Sequence, residues 1–134
     1  METIFTKIIH GDIPATKLYS DDECIAILDI APANKGHALV ISRQPYPTIA
    51  DCPQSTLGHL MGVVQRLDLA MRKNLGAEAT NIVINNGPAA GQEVPHLHIH
   101  VIPRFADDGK RFTLEKDRYA EGEISTYAQK LTLV

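Results

Sequence analysis

Three imidazoles stand within five residues, at His96, His98 and His100, half of the six histidines in a chain of 134 residues. They alternate with Leu97, Ile99 and Val101, and alternation at period two is the pattern of a strand with one face buried. The rings are therefore expected to form one row on one face, with the aliphatic residues turned to the core. A merely solvated face would not need three groups that titrate near neutrality. Zinc is a second reading, since imidazole is a common zinc ligand. Along an extended strand His96 and His100 would lie about 13 Å apart, too far for both to bind one ion at roughly 2.1 Å, so zinc could take only two of the three, with His37. The third reading is chemistry on a phosphate. A neutral imidazole can attack phosphorus and become covalently bonded to it, while its neighbours donate to the phosphoryl oxygens and protonate the leaving group. Close histidines titrate as a coupled set, so the row is expected to hold one proton while one ring stays nucleophilic. His98, the middle ring, is the expected attacker.

Just upstream, Gly87 and Gly91 bracket Pro88-Ala89-Ala90, a turn expected to bring backbone amides close to an anion. Four strands are expected, over residues 24–28, 38–41, 82–84 and 97–102, each a short aliphatic or β-branched run. Between the second and third, residues 55–75 carry Leu57, Leu60, Met61, Val64, Leu67, Met71 and Leu75 at helical steps. Asp51 or Ser55 is expected to cap that helix, Pro53 to sit in its first turn and Gly76 to stop it. Val63 and Ala70 widen its apolar stripe beyond one packed face, which leaves a surplus for the sheet or for a second subunit. A short helix is expected over residues 2–9, ended by Gly11 and Pro14, and a surface helix over residues 123–131 with Ile124, Tyr127 and Leu131 on one side. Strands with few helices and tight turns favour an antiparallel α+β fold.

Thirteen basic against sixteen acidic residues give a net charge of −3, with 44% hydrophobic and 22% charged residues. That composition belongs to one globular domain and excludes a disordered chain. No block of Lys and Arg provides the electrostatic footprint that nucleic acid requires. Cys24 and Cys52 form no Cys-x-x-Cys pair and read as reduced, packed thiols. No export signal and no apolar run of about 18 residues is visible, so a soluble cytoplasmic protein is expected.

The run Asn85-x-Gly87-x-x-x-Gly91-Gln92-x-Val94-x-His96-x-His98-x-His100 resembles the signature of the histidine triad (HIT) superfamily, in particular its Hint branch. Upstream, Thr3-Ile4-Phe5, Ile13-Pro14-Ala15, Asp29-Ile30-x-Pro32 and His37-x-Leu39-Val40-Ile41 are similar to Hint proteins, so the likeness spans residues 2–104 of a single domain 1–134, with 105–134 as an extension. The resemblance implies a HIT-like α+β fold and a purine nucleotide hydrolase with a nucleotidyl-histidine intermediate on His98. His100 and His37 would contact phosphate and His96 would orient or share protons. Asn85, the Gly91 amide and the Gln92 side chain would hold the phosphate, and Asp29 the ribose hydroxyls. Phe5, Ile8, Ile13, Ile27 and Ile30 would form the purine slot. Nucleoside 5′-phosphoramidate hydrolysis, releasing AMP or a GMP counterpart, is the expected reaction. Dinucleoside polyphosphate hydrolysis and a nucleotide-binding regulatory role are the alternatives. The resemblance also implies a homodimer, and no metal or other cofactor is expected. Two features depart from the family pattern. Glu93 stands on the nucleotide-binding turn where Ser or Thr is common, and Thr3 and Thr6 occupy the places of a zinc-binding Cys-x-x-Cys in some bacterial relatives.

Overall fold

The computed structural model describes residues 2–133. Its frame is a five-stranded antiparallel sheet with strand order β1-β2-β3-β5-β4. The strands are β1 (Lys17–Ser20), β2 (Cys24–Leu28), β3 (Ala38–Ser42), β4 (Ala79–Val83) and β5 (His98–Arg104), with helices α1 (Ile4–Ile9), α2 (Gln54–Leu75) and α3 (Glu123–Leu131). The antiparallel α+β class read from the sequence is the class observed. β1 has no counterpart among the expected strands: three of its four residues are exposed, and as an edge strand it is defined by pairing with β2 and not by an apolar run. The strand expected over 82–84 begins earlier, because Ala79 and Thr80 pair with Arg104 and Pro103. The one expected over 97–102 starts at His98 and runs to Arg104.

Side chains leave the sheet alternately to two cores. Cys24, Ala26, Val40, Ile99 and Val101 face α2, where Leu60, Val63, Val64 and Met71 cover them. Ile25, Ile27, Leu39 and Ile41 face the other way, beneath Phe5 and Ile8 of α1. Each fully buried aliphatic side chain contributes about 1.5–3 kcal/mol, so β2 and β3, buried on both faces, anchor the fold. Register pairs His98 with Ile41 and His100 with Leu39, which puts both rings on the α1 side.

α1 begins at Thr3, whose hydroxyl accepts from the Phe5 and Thr6 amides while Thr6 Oγ1 accepts from the Thr3 amide at 2.7 Å. The capping expected for α2 is not observed: its N-cap is Pro53 without a side-chain cap, and Ser55 is already inside the helix. Asp51 instead accepts from the Thr48 amide and closes the 3-10 turn Ile49–Asp51. Gly76, at φ +67°, terminates α2 as expected. Of the apolar stripe, Leu57 and Leu67 are half-buried, while Met61, Ala70 and Leu75 are exposed. Beyond β5, Arg104 is pinned to Asp108 at 2.8 Å, and residues 109–133 are exposed throughout, α3 with its Ile124, Tyr127 and Leu131 included.

Candidate active site

Only two of the three histidines form the expected row. His96 lies before β5 begins and is wholly buried, with Nδ1 2.9 Å from Thr3 Oγ1 and Nε2 2.6 Å from the Ser42 carbonyl. A carbonyl only accepts, so Nε2 carries the proton and Nδ1 accepts from the threonine hydroxyl. Both nitrogens are thereby spent on holding α1 and β3. His96 is a structural pivot and not a third member of the row, because Pro95 and the bend around it delay the strand until His98.

The backbone of His96 then sets the next ring. Its carbonyl oxygen is 2.7 Å from His98 Nδ1, which must donate, so Nε2 of His98 keeps its lone pair. A second relay starts at the Ala33 amide, which donates to His37 Nδ1 at 3.0 Å. His37 Nε2 therefore carries the proton and donates to His100 Nδ1, also at 3.0 Å, leaving Nε2–H as the donor that His100 can offer to a ligand. Neutral tautomers thus place a nucleophilic nitrogen on His98 and a donor on His100, whose ring centroids are 5.1 Å apart.

Burial keeps these rings neutral. It lowers the His98 pKa against the opposing pulls of its bond to the His96 carbonyl and of Asp29. It likewise lowers His96, despite the Ser42 carbonyl, and His37, despite Asp29. His100 is pushed down to about 4 by burial and by the neighbouring His98 and His37 rings. Desolvation therefore opposes the expected storage of a proton on the row near neutrality, most strongly at His100.

Next to the rings is a cavity of about 420 Å³. Phe5, Ile8, Ile13, Ile27 and Ile30 line it, as do Asp29, Asn85, Gly91, Glu93, His98 and His100. Ile4, Pro14, Ala15, Leu28, Leu39 and Val94, which the sequence did not single out as site residues, complete the wall. Ile4, Pro14, Leu28 and Val94 adjoin a named site residue in sequence, Leu39 pairs with His100 across the sheet, and Ala15 follows Pro14. Phe5 and Ile27 belong to the core as well, and the Phe5 ring stands edge-on to His98 at 4.9 Å. Asp29 serves two ends: Oδ1 accepts from the Ala31 amide at 2.9 Å, and Oδ2 lies 3.7 Å from His37 Nε2 on the cavity side.

Gln92 and Gly91 act differently from expectation. The Gln92 amide group is consumed by the turn, accepting from Gly87 N at 2.7 Å and donating to the Pro47 and Val94 carbonyls. The Gly91 amide donates to Pro88 O at 2.9 Å. Both hold the loop's shape instead of reaching for phosphate, and Gly91 at φ +94° adopts a conformation that L side chains rarely take. Among the described residues, the Glu93 and Val94 amides donate to no protein acceptor, which leaves them available to an anion at the cavity wall. Where a Cys-x-x-Cys would bind zinc, Thr3 and Thr6 spend their hydroxyls on the α1 cap and on His96, a donor set without thiolate that does not fit that ion.

An α+β sheet thus sets paired histidines beside a largely apolar cavity. Residues 10–107 match the family model described as HIT domain, and the chain belongs to that family. It is 37% identical to adenylylsulfatase HINT3 of Arabidopsis thaliana over 97% of this chain and 70% of that one. With adenosine 5′-monophosphoramidase hnt1 of Schizosaccharomyces pombe it shares 38% identity over 78% of this chain and 75% of that one. A solved relative, a Zn-bound histidine triad family protein from Mycobacterium smegmatis, is 40% identical with TM-score 0.79 over 88% and 86% of the two chains. The relatives' names place this chain among HIT proteins of the nucleotide-hydrolase kind.

Proposed function

We propose that the protein hydrolyses purine nucleoside 5′-phosphoramidates through a nucleotidyl intermediate on His98. One observation carries the proposal: the His96 carbonyl claims Nδ1 of His98 and leaves Nε2 unprotonated in a site whose burial keeps the ring neutral. In the first step Nε2 bonds to the α-phosphorus as the P–N bond breaks, and the amine departs with a proton from water at the rim. His100 Nε2–H stabilises the phosphoryl oxygens, held in line by His37. Water then attacks the same phosphorus, releasing AMP and the free imidazole. The purine would occupy the slot beside Phe5 and Ile27, and Asp29 Oδ2 would accept from the ribose hydroxyls. Glu93 on the cavity wall supports an amine leaving group over a polyphosphate, because its carboxylate repels further phosphate charge and attracts a departing ammonium.

A fluorogenic adenosine phosphoramidate tests this directly. His98→Ala should lower turnover by about 10⁴-fold or more while AMP binding persists, and mass spectrometry without acid should find an adenylyl group on His98 after substrate mixing. Undiminished turnover in the variant would overturn the reading. We further propose that the protein is cytoplasmic and forms a homodimer, the dimer supported by Met61 and Leu69, exposed on the outer side of α2, and by Ile82 on the edge strand β4.

A further inference from the structure

On the α2 side of the sheet, away from the nucleotide cavity, Asp21, Cys24 and His59 bring a carboxylate oxygen, a thiol sulfur and an imidazole nitrogen within 4.8 Å of one another. We infer that this cluster is a binding site for one divalent metal ion of the zinc type, held by Asp21 Oδ2, Cys24 Sγ and His59 Nε2. The donors come from the β1–β2 turn, the start of β2 and the second turn of α2, and none of them serves the histidine chemistry described above.

The chemistry of the set selects the ion. Thiolate and imidazole together favour zinc-type metals over the hard cations that prefer oxygen alone. The surroundings already have the form that such ligands need. His59 Nδ1 lies 3.1 Å from Glu23 Oε2, the outer carboxylate that fixes a ligating imidazole and raises its basicity. Asp21 Oδ1 accepts from the Glu23 and Cys24 amides at 2.8 and 2.9 Å, and Tyr19 OH donates to Oδ2 at 2.8 Å. The nearby cations are committed elsewhere: Arg43 Nε donates to the Asp21 carbonyl, and Arg66 stacks over the Tyr19 ring. His59 is 37% and Asp21 21% exposed, which opens the site to solvent for entry and for a water as fourth ligand, while Cys24 closes its floor.

His59 Nε2 and Asp21 Oδ2 now stand 2.6 Å apart with one hydrogen between them. In a tetrahedral zinc site neighbouring ligands are about 3.4 Å apart, so side-chain adjustments of about 1 Å accommodate the ion. On loading, the metal replaces that hydrogen and the Cys24 thiol hydrogen, and both leave as protons to water. Without metal, the same contacts tie α2 to the β1–β2 turn by hydrogen bonds alone.

Titration of the purified protein with Co²⁺ as a spectroscopic stand-in, followed by Zn²⁺ displacement, decides between these. One equivalent of Co²⁺ should give a near-ultraviolet thiolate-to-cobalt band that Zn²⁺ abolishes. Cys24→Ser should lose the band, and His59→Gln, at a partly exposed position, should weaken binding even if the cysteine variant fails to fold. Glu23→Gln should weaken binding by about 10–100-fold. The double variant His37→Gln/His100→Gln removes the other group of potential ligands, Asp29, His37 and His100, and should keep the band. A folded wild-type protein that shows no thiolate band, or a band that survives His59→Gln undiminished, would overturn the inference. Because the readout is spectroscopic, it does not depend on hydrolase activity.

Discussion

Each histidine owes its role to the partner of its second nitrogen. In the proposed reaction His98 attacks because a carbonyl takes Nδ1–H, and His100 donates because His37, itself oriented by the Ala33 amide, fills its Nδ1. His37→Ala should therefore cut kcat by about 10–100-fold through loss of one oriented hydrogen bond, with KM little changed. His37→Gln, whose amide can donate in the same place, should recover part of it. Since burial lowers the His98 pKa, the acid limb of kcat/KM should have an apparent pKa below 6.5, the ordinary value. A limb at or above 6.5 would contradict the neutral-ring mechanism. Glu93 was legible in the sequence as a departure on the nucleotide-binding turn, and it lines the cavity on a turn held by the Gln92 contacts to Gly87 and Pro47.

At the scale of elements, one hydroxyl ties the start of α1 to the segment just before β5. Thr3 Oγ1 caps the helix and satisfies His96 Nδ1, so Thr3→Val removes a cap, about 1 kcal/mol, and orphans a buried acceptor, about 1–3 kcal/mol. The expected loss is roughly 2–4 kcal/mol, read by denaturant unfolding, and Thr3→Ser should largely restore it. A loss of only about 1 kcal/mol, that of the cap alone, would mean that His96 finds another donor. The strands β2, β3 and β5 and the helix α2 were readable from local pattern because their periodicities reflect burial on one or both faces. β1 and the α2 cap were not. An edge strand with exposed residues has no apolar pattern of its own, and Thr48 claimed the Asp51 carboxylate that the sequence offered to α2.

For the whole molecule, buried neutral imidazoles make stability depend on acidity. His100 binds its proton near pH 4 when folded and near 6.5 when unfolded, so between these values the unfolded chain holds more protons and stability rises with pH. Its contribution is present above about pH 6.5 and is lost as pH falls toward 4, with His37, His96 and His98 acting in the same direction. Thermal unfolding should show Tm falling over that window, and His100→Gln should flatten the fall. His59 acts oppositely, its pKa raised by its hydrogen bond to Asp21 against the cost of burial and helped by the charges of Asp21 and Glu23, so its contribution is lost as pH rises through that raised pKa. The proposed homodimer predicts that Leu69→Glu, at a side chain 59% exposed, shifts the protein to monomer in sedimentation without lowering the stability of the fold by more than about 1 kcal/mol.

Local pattern by itself determined the sheet's inner strands, the long helix and its glycine stop, and which histidines share a signature with HIT proteins, because those features depend on residue type and spacing along one segment. Where each ring carries its proton was decided only by the folded chain. The His96 carbonyl, the Thr3 hydroxyl and the Ala33 amide come from separate parts of the chain, and a proton's place on an imidazole depends on what lies across from it in space.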